Sequence, residues 1–158
     1  MNDFQAITFT TFGYKDYTEN LLSSIKQNNV NLDLRVYVLD RESEKYFSKI
    51  HKNTLFLDSE ENFNQFLDQK SKKFGELMIK KFECIHMSLL ENENVLYIDG
   101  DIVIKKNIKD YLMRNMSNLD ILFQNDKNPN KPNQINLFAG FMLIRSNKNT
   151  INFFDPKQ

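Results

Sequence analysis

Two carboxylates separated by one glycine, Asp99-Gly100-Asp101, stand inside the stretch NVLYIDGDIVIK at 94–105. Val95-Leu96-Tyr97-Ile98 before them is an unbroken apolar run, and Ile102-Val103-Ile104 after them is apolar again. Carboxylates framed by buried-type sequence are costly unless a positive group meets them. Aspartates at i and i+2 can both turn toward one ion. Hard oxygen ligands select Mg²⁺ or Mn²⁺, and an ion with few protein ligands completes its shell with phosphate oxygens. The chemistry suggested is a metal, held by Asp99 and Asp101, that neutralises a diphosphate leaving group. The bland alternative is a polar turn between two hydrophobic segments.

A run that is apolar on both faces suits a central parallel strand with a layer on each side, and in open α/β sheets ligands bind beyond the carboxyl ends of such strands. The rest of the chain supplies the expected neighbours. AITFTT at 6–11 reads as a first strand, ending in a turn at Phe12-Gly13-Tyr14 where Gly13 supplies freedom. Tyr17, Leu21, Leu22 and Ile25 predict a helix that ends at Asn28-Asn29. LRVYVL at 34–39 is a second strand, 41–52 a helix with Tyr46, Phe47 and Ile50 as its apolar face, and 54–57 a short third strand. Asp58-Ser59-Glu60-Glu61 resembles a helix start, with Phe63, Phe66 and Leu67 as the stripe behind it. A longer helix is expected over 72–91. Its stripe is Phe74, Leu77, Met78, Phe82, Ile85 and Leu89, and Lys81 falls within it whereas Lys80 does not. A lysine on the buried side needs a partner or ligand, or must snorkel along its stem to water.

After the acidic pair, 108–116 reads as a short helix, 119–124 as a strand and 125–136 as an exposed polar loop with Pro129 and Pro132. LFAGFMLI at 137–144 is a strand whose Ala139-Gly140 would let a ligand or another backbone come close. Ser146 is the expected cap of a last helix through Phe154. Alternating strands and helices make one α/β domain over 1–158, a three-layer sandwich with a mostly parallel central sheet.

Equal numbers of acidic and basic residues, 21 each, remove the electrostatic case for nucleic acid or an anionic membrane. No apolar run approaches the length of a membrane span. A lone cysteine, Cys84, rules out an internal disulfide and fits a reducing compartment. With no basic, apolar leader after Met1, a cytoplasmic location is expected. A calcium loop fails because Val103 and Ile104 stand where further oxygen ligands are needed, and this glycine-poor chain holds no dinucleotide fingerprint or P-loop. Asp99-Gly100-Asp101-Ile102-Val103 does fit the first motif of haloacid dehalogenase-like phosphohydrolases, with Asp99 as nucleophile, but that motif normally opens a domain.

Taken together these motifs resemble the GT-A type nucleotide-diphospho-sugar glycosyltransferases, of the glycogenin-like and plant cell-wall-like group. The opening block resembles their strand–DxD–strand signature, and 74–90 resembles the helix before it. Thr8-Phe9-Thr10-Thr11 with Tyr14 resembles the strand that receives the donor nucleotide, and NLFAGFMLIRSN at 136–147 the strand beneath the transferred sugar. The resemblance implies a Rossmann-like sandwich and retaining transfer of a hexosyl or pentosyl group. The donor would be UDP- or GDP-linked, and the acceptor a carbohydrate or a protein- or lipid-linked glycan. It implies Asp99 and Asp101 on Mn²⁺ or Mg²⁺, with Gly100 beside the diphosphate and Lys81 on the donor phosphates. Thr10, Thr11 and Tyr14 would meet the base and ribose, and Gln124, Asp126, Asn136 and Gly140 the sugar and acceptor side. Two departures stand out. The family's later metal-binding histidine has no counterpart, since His51 and His86 both precede the acidic pair, and Ala139 replaces a frequent Thr or Asn. A non-catalytic nucleotide-sugar-binding remnant is the corresponding alternative.

Overall fold

The computed structural model describes residues 4–57, 63, 65–68, 70–131 and 133–158. The strands are β1 (Gln5–Thr10), β2 (Leu34–Val38), β3 (Thr54–Phe56), β4 (Asn94–Ile98), β5 (Ile121–Asn125) and β6 (Leu137–Arg145). The helices are α1 (Lys15–Gln27), α2 (Arg41–Ile50), α3 (Lys72–Glu91), α4 (Lys109–Met116) and α5 (Lys148–Phe153), with a 3₁₀ turn at Phe12–Tyr14. Among the described residues these strands form one sheet in the order β3-β2-β1-β4-β6-β5. β1 to β4 are mutually parallel, and β6 is antiparallel to both β4 and β5. The sheet is therefore mostly parallel, as expected from the sequence.

Every residue of β4 is buried, because both its faces are covered. Leu96 and Ile98 point into one apolar layer with Leu21 of α1, Phe47 of α2 and Leu112 of α4. Val95 and Tyr97 point into the other, with Leu77, Cys84, Ile85 and Leu89 of α3 and Phe154. Strand alternation thus converts an unpatterned apolar run into two half-cores. No helix among the described residues is long and apolar enough to cross a membrane.

Five local expectations need correction. Asp58 to Glu61 lie outside the described residues, but 63 and 65–68 are not helical. Phe63 is buried there while Phe66 projects outward, so the stripe-like spacing arises from a chain draped over the core. Residues 102–104 form no strand. The N–H of Ile104 instead donates to Ser24 Oγ and its carbonyl accepts from the Asn28 amide, so α1 takes the place of a sheet neighbour. The cap of α5 is Asn147, whose side chain accepts from the N–H groups of Asn149 and Thr150, whereas the Ser146 hydroxyl donates to Leu89 O. Ile50 and Phe82 are substantially exposed at the margins of their stripes. Gly13 has no positive φ; its lack of a side chain serves close approach.

Candidate functional site

β1 leads outward to β2 and β3 on one side, and β4 returns to pair with β1 on the other. The carboxyl ends of β1 and β4 therefore flank the topological switch point, where an open α/β sheet leaves a crevice. A cleft of about 280 Å³ lies there, lined by Thr10, Thr11, Tyr14, Asp99, Gly100 and Asp101 together with further aromatic side chains, among them Tyr17, Phe66 and Tyr97. Six of the residues singled out from sequence thus share one cavity.

The β1 side is fixed by side-chain bonds. Asp40, just past β2, caps α2 through Oδ1 and accepts the Phe12 N–H on Oδ2 at 2.8 Å, holding the turn after β1. Thr18 of α1 donates to the Thr10 hydroxyl at 2.9 Å, and Thr10 in turn donates to the Thr11 carbonyl. The Thr11 hydroxyl is buried and has no hydrogen-bond partner among the described residues. A buried hydroxyl beside a cleft without a partner is costly, and a polar ligand group would satisfy it.

The acidic pair occupies a tight turn closed by the Ile102 N–H on the Asp99 carbonyl at 3.2 Å. Gly100 is required by space, since a Cβ there would stand 2.8 Å from Thr18 Oγ1. The Asp99 N–H donates to Gly140 O at 2.7 Å, extending the β4–β6 ladder by one rung. The Ser24 and Asn28 bonds to Ile104 hold the turn from its far side.

Lys81 and Asp99 form an ion pair at 3.2 Å. The Lys81 ammonium also donates to Ala139 O at 2.9 Å and lies 4.3 Å from the Tyr97 ring centre. The Tyr97 phenol donates to the same Asp99 oxygen, Oδ1, at 2.5 Å. Lys81 is 9% exposed, so burial lowers its pKa from the ordinary lysine value, while the Asp99 charge pulls the other way. Burial, and then the neighbouring Asp99 carboxylate, push the Tyr97 phenol well above its usual range. The structure thus gives the inward lysine of α3 a protein partner. The resemblance implies a lysine on the donor phosphates; here Lys81 does not line the cleft and its ammonium is seated on Asp99 and a carbonyl.

Gly140 backs directly onto Asp99. Gln124, Asp126 and Asn136 are exposed and do not line the cleft. They sit at the same carboxyl edge of the sheet, Asn136 at the start of the adjacent β6 and Gln124 and Asp126 at the end of β5 one strand further out, where the Asp126 N–H donates to Asn136 O. Tyr97 and Thr18 are site residues that the sequence reading missed. Tyr97 lay inside an apolar run with nothing to mark its hydroxyl, and Thr18 became legible only through the space left by Gly100.

No group of three or more His, Cys, Asp or Glu side chains arranged to hold a metal occurs among the described residues. Asp99 spends one oxygen on Tyr97 and Lys81, while Asp101 is exposed at the turn. This donor set suits a hard cation that takes two carboxylates from the protein and the rest of its shell from water and phosphate, and does not suit a closed structural metal site.

Comparison with known proteins agrees with this fold. The galactosyltransferase LgtC, in complex with donor and acceptor sugar analogs, superposes with a TM-score of 0.62 at 16% identity, over 89% of this chain and 57% of that one. The glycosyltransferase GlyE of Streptococcus pneumoniae TIGR4 superposes with a TM-score of 0.53 at 18% identity, over 92% of this chain and 35% of that one. This chain therefore spans little more than half of LgtC and about a third of GlyE, and at these identities the likeness is one of fold. No curated protein matches the chain significantly. The sequence profile of the nucleotide-diphospho-sugar transferases matches residues 33–157, most of the chain, and the protein belongs to that family.

Proposed function

We propose that the protein is a metal-dependent glycosyltransferase that takes a UDP- or GDP-linked sugar as donor and a glycan as acceptor. The observation that carries this reading is the sharing of one cleft by the acidic turn and the β1 exit at the switch point. Asp101 and Asp99 would hold Mn²⁺ or Mg²⁺. When bound, the ion neutralises charge on the departing diphosphate. Lys81 and Tyr97 hold Asp99 in place through Oδ1, and Gly140 leaves room for its Oδ2. Thr10 and Thr11 offer hydroxyls to the ribose, and Thr11 is the one that lacks a partner. Gln124, Asp126 and Asn136 at the neighbouring strand ends would approach the sugar and acceptor. Retention of configuration is what the resemblance implies. No observation favours the phosphohydrolase reading.

A thermal-shift screen tests this. In a screen of UDP, GDP and ADP, Mn²⁺ together with UDP or GDP is expected to raise Tm where neither component alone does. Release of free sugar from the matching nucleotide-sugar would then separate an active transferase from a binding remnant. A flat screen with every pair would contradict the proposal.

A further inference from the structure

Residues 65–67 carry a feature that the acidic turn does not explain. They are docked on the turn after β1 without a sheet or helix to hold them. A Cβ on Gly13 would stand 2.3 Å from Gln65 C and 2.4 Å from Phe66 N, so two backbones touch where only glycine allows it. The neighbouring Tyr14 phenol donates to Leu67 O at 3.1 Å and accepts the Leu67 N–H at 3.2 Å. One side chain thus satisfies both backbone groups of Leu67, as a strand neighbour would. This latch fixes Phe66 between its anchors. The Phe66 ring lines the cleft, its centre 4.8 Å from that of Tyr14, yet it stays 62% exposed.

The cleft is chemically graded. Its carboxylates gather at the β4 end, its threonine hydroxyls at the β1 end, and Tyr14, Tyr17 and Phe66 line it beyond β1. A ligand with a diphosphate at the cation and a ribose at the hydroxyls carries its one planar, apolar-faced group at the aromatic end. We infer that Phe66, held by the Tyr14–Leu67 latch over Gly13, is the stacking surface for the nucleobase of the donor. The inference rests on the proposed nucleotide-sugar reading and adds a residue and a positioning device to it. Tyr14 is then a positioning residue through its hydroxyl, and not solely an aromatic contact. Stacking tolerates any base, so this surface contributes affinity without choosing between uracil and guanine.

The chain contains no tryptophan, so Phe66→Trp creates a single fluorescent reporter at the position in question. With Mn²⁺ present, UDP or GDP is expected to quench that fluorescence, and pyrophosphate is not. Phe66→Ala is expected to weaken binding of the nucleoside diphosphate by about tenfold or more while leaving Mn²⁺–pyrophosphate binding as in the parent. Tyr14→Phe, which keeps the ring and breaks the latch, is expected to weaken nucleotide binding in the same direction. A parent that binds a nucleoside diphosphate tightly, with unquenched Phe66→Trp and an unchanged Phe66→Ala, overturns this inference alone. Equal loss of nucleotide and pyrophosphate in Phe66→Ala also overturns it, because that marks collapse of the cleft. A parent that binds no nucleoside diphosphate overturns the proposed function and this inference together.

Discussion

Gly140 lies so close to Asp99 that a methyl group on it would stand 2.4 Å from the Asp99 Oδ2. The same methyl would stand 2.4 Å from the Phe138 ring. Phe138 can swing, but Asp99 is pinned through its other oxygen by Tyr97 and Lys81. Gly140→Ala is therefore expected to cost about 1–3 kcal/mol in urea unfolding, as overpacked sites do, and to weaken Mn²⁺-dependent nucleotide binding. Both readouts should move; a variant with parental affinity would mean that the seating of Asp99 is irrelevant to the ligand.

Lys81→Met keeps the stem and removes the charge. Asp99 then retains the Tyr97 phenol but loses its counter-ion. The expected loss of stability is about 2 kcal/mol, below the roughly 3–5 kcal/mol of a fully buried pair, because the Asp99 side chain remains 33% exposed. The site also gains one unit of negative charge, so Mn²⁺ alone should bind more tightly than to the parent. Calorimetric titration of the metal without nucleotide checks the sign.

Tyr97 gives a pH signature. Its folded pKa is raised well above the ordinary value, so above about pH 10 the unfolded chain has lost a proton that the native state keeps. Its contribution is therefore fully present below about pH 10 and lost as pH rises beyond it. Tm of the parent should fall more steeply than that of Tyr97→Phe between about pH 9.5 and 11. Lys81, whose lowered pKa acts in the opposite sense, is present in both proteins, so the difference isolates the phenol. Parallel curves would show that the Tyr97–Asp99 bond carries no linkage.

Much of the frame was readable from residue periodicity. The stripe of α3 places Lys81 inward, and the helix over Lys72–Glu91 and the burial of Lys81 agree with it, although Phe82 at the margin of the stripe is exposed. β4 was legible because a run buried on both faces leaves no polar break. What stayed hidden depended on partners remote in sequence. The hydroxyl of Tyr97 is indistinguishable from any buried aromatic until Asp99 is seen beside it. Gly13, Gly100 and Gly140 read as turn or small-residue signals, yet each is small because another group, from 65–66, Thr18 or Asp99, presses on it. The reversal of β6 is set by tertiary pairing and not by its composition. Residues 63 and 65–68 mimic a helical stripe because Phe63 packs inward while Phe66 projects, a spacing that an irregular chain can also produce.

We propose that the Asp99-Gly100-Asp101 turn and the β1 exit bind one metal–nucleoside diphosphate. Asp101→Ala tests it most directly, since Asp101 is exposed and its removal should leave the fold intact. Calorimetric titration with UDP and GDP, each with and without Mn²⁺, is the measurement. One nucleotide is expected to bind the parent only with the metal, and Asp101→Ala to weaken that binding at least about tenfold, or about 1.4 kcal/mol, at unchanged Tm. Metal-dependent binding to Asp101→Ala with parental affinity would contradict it.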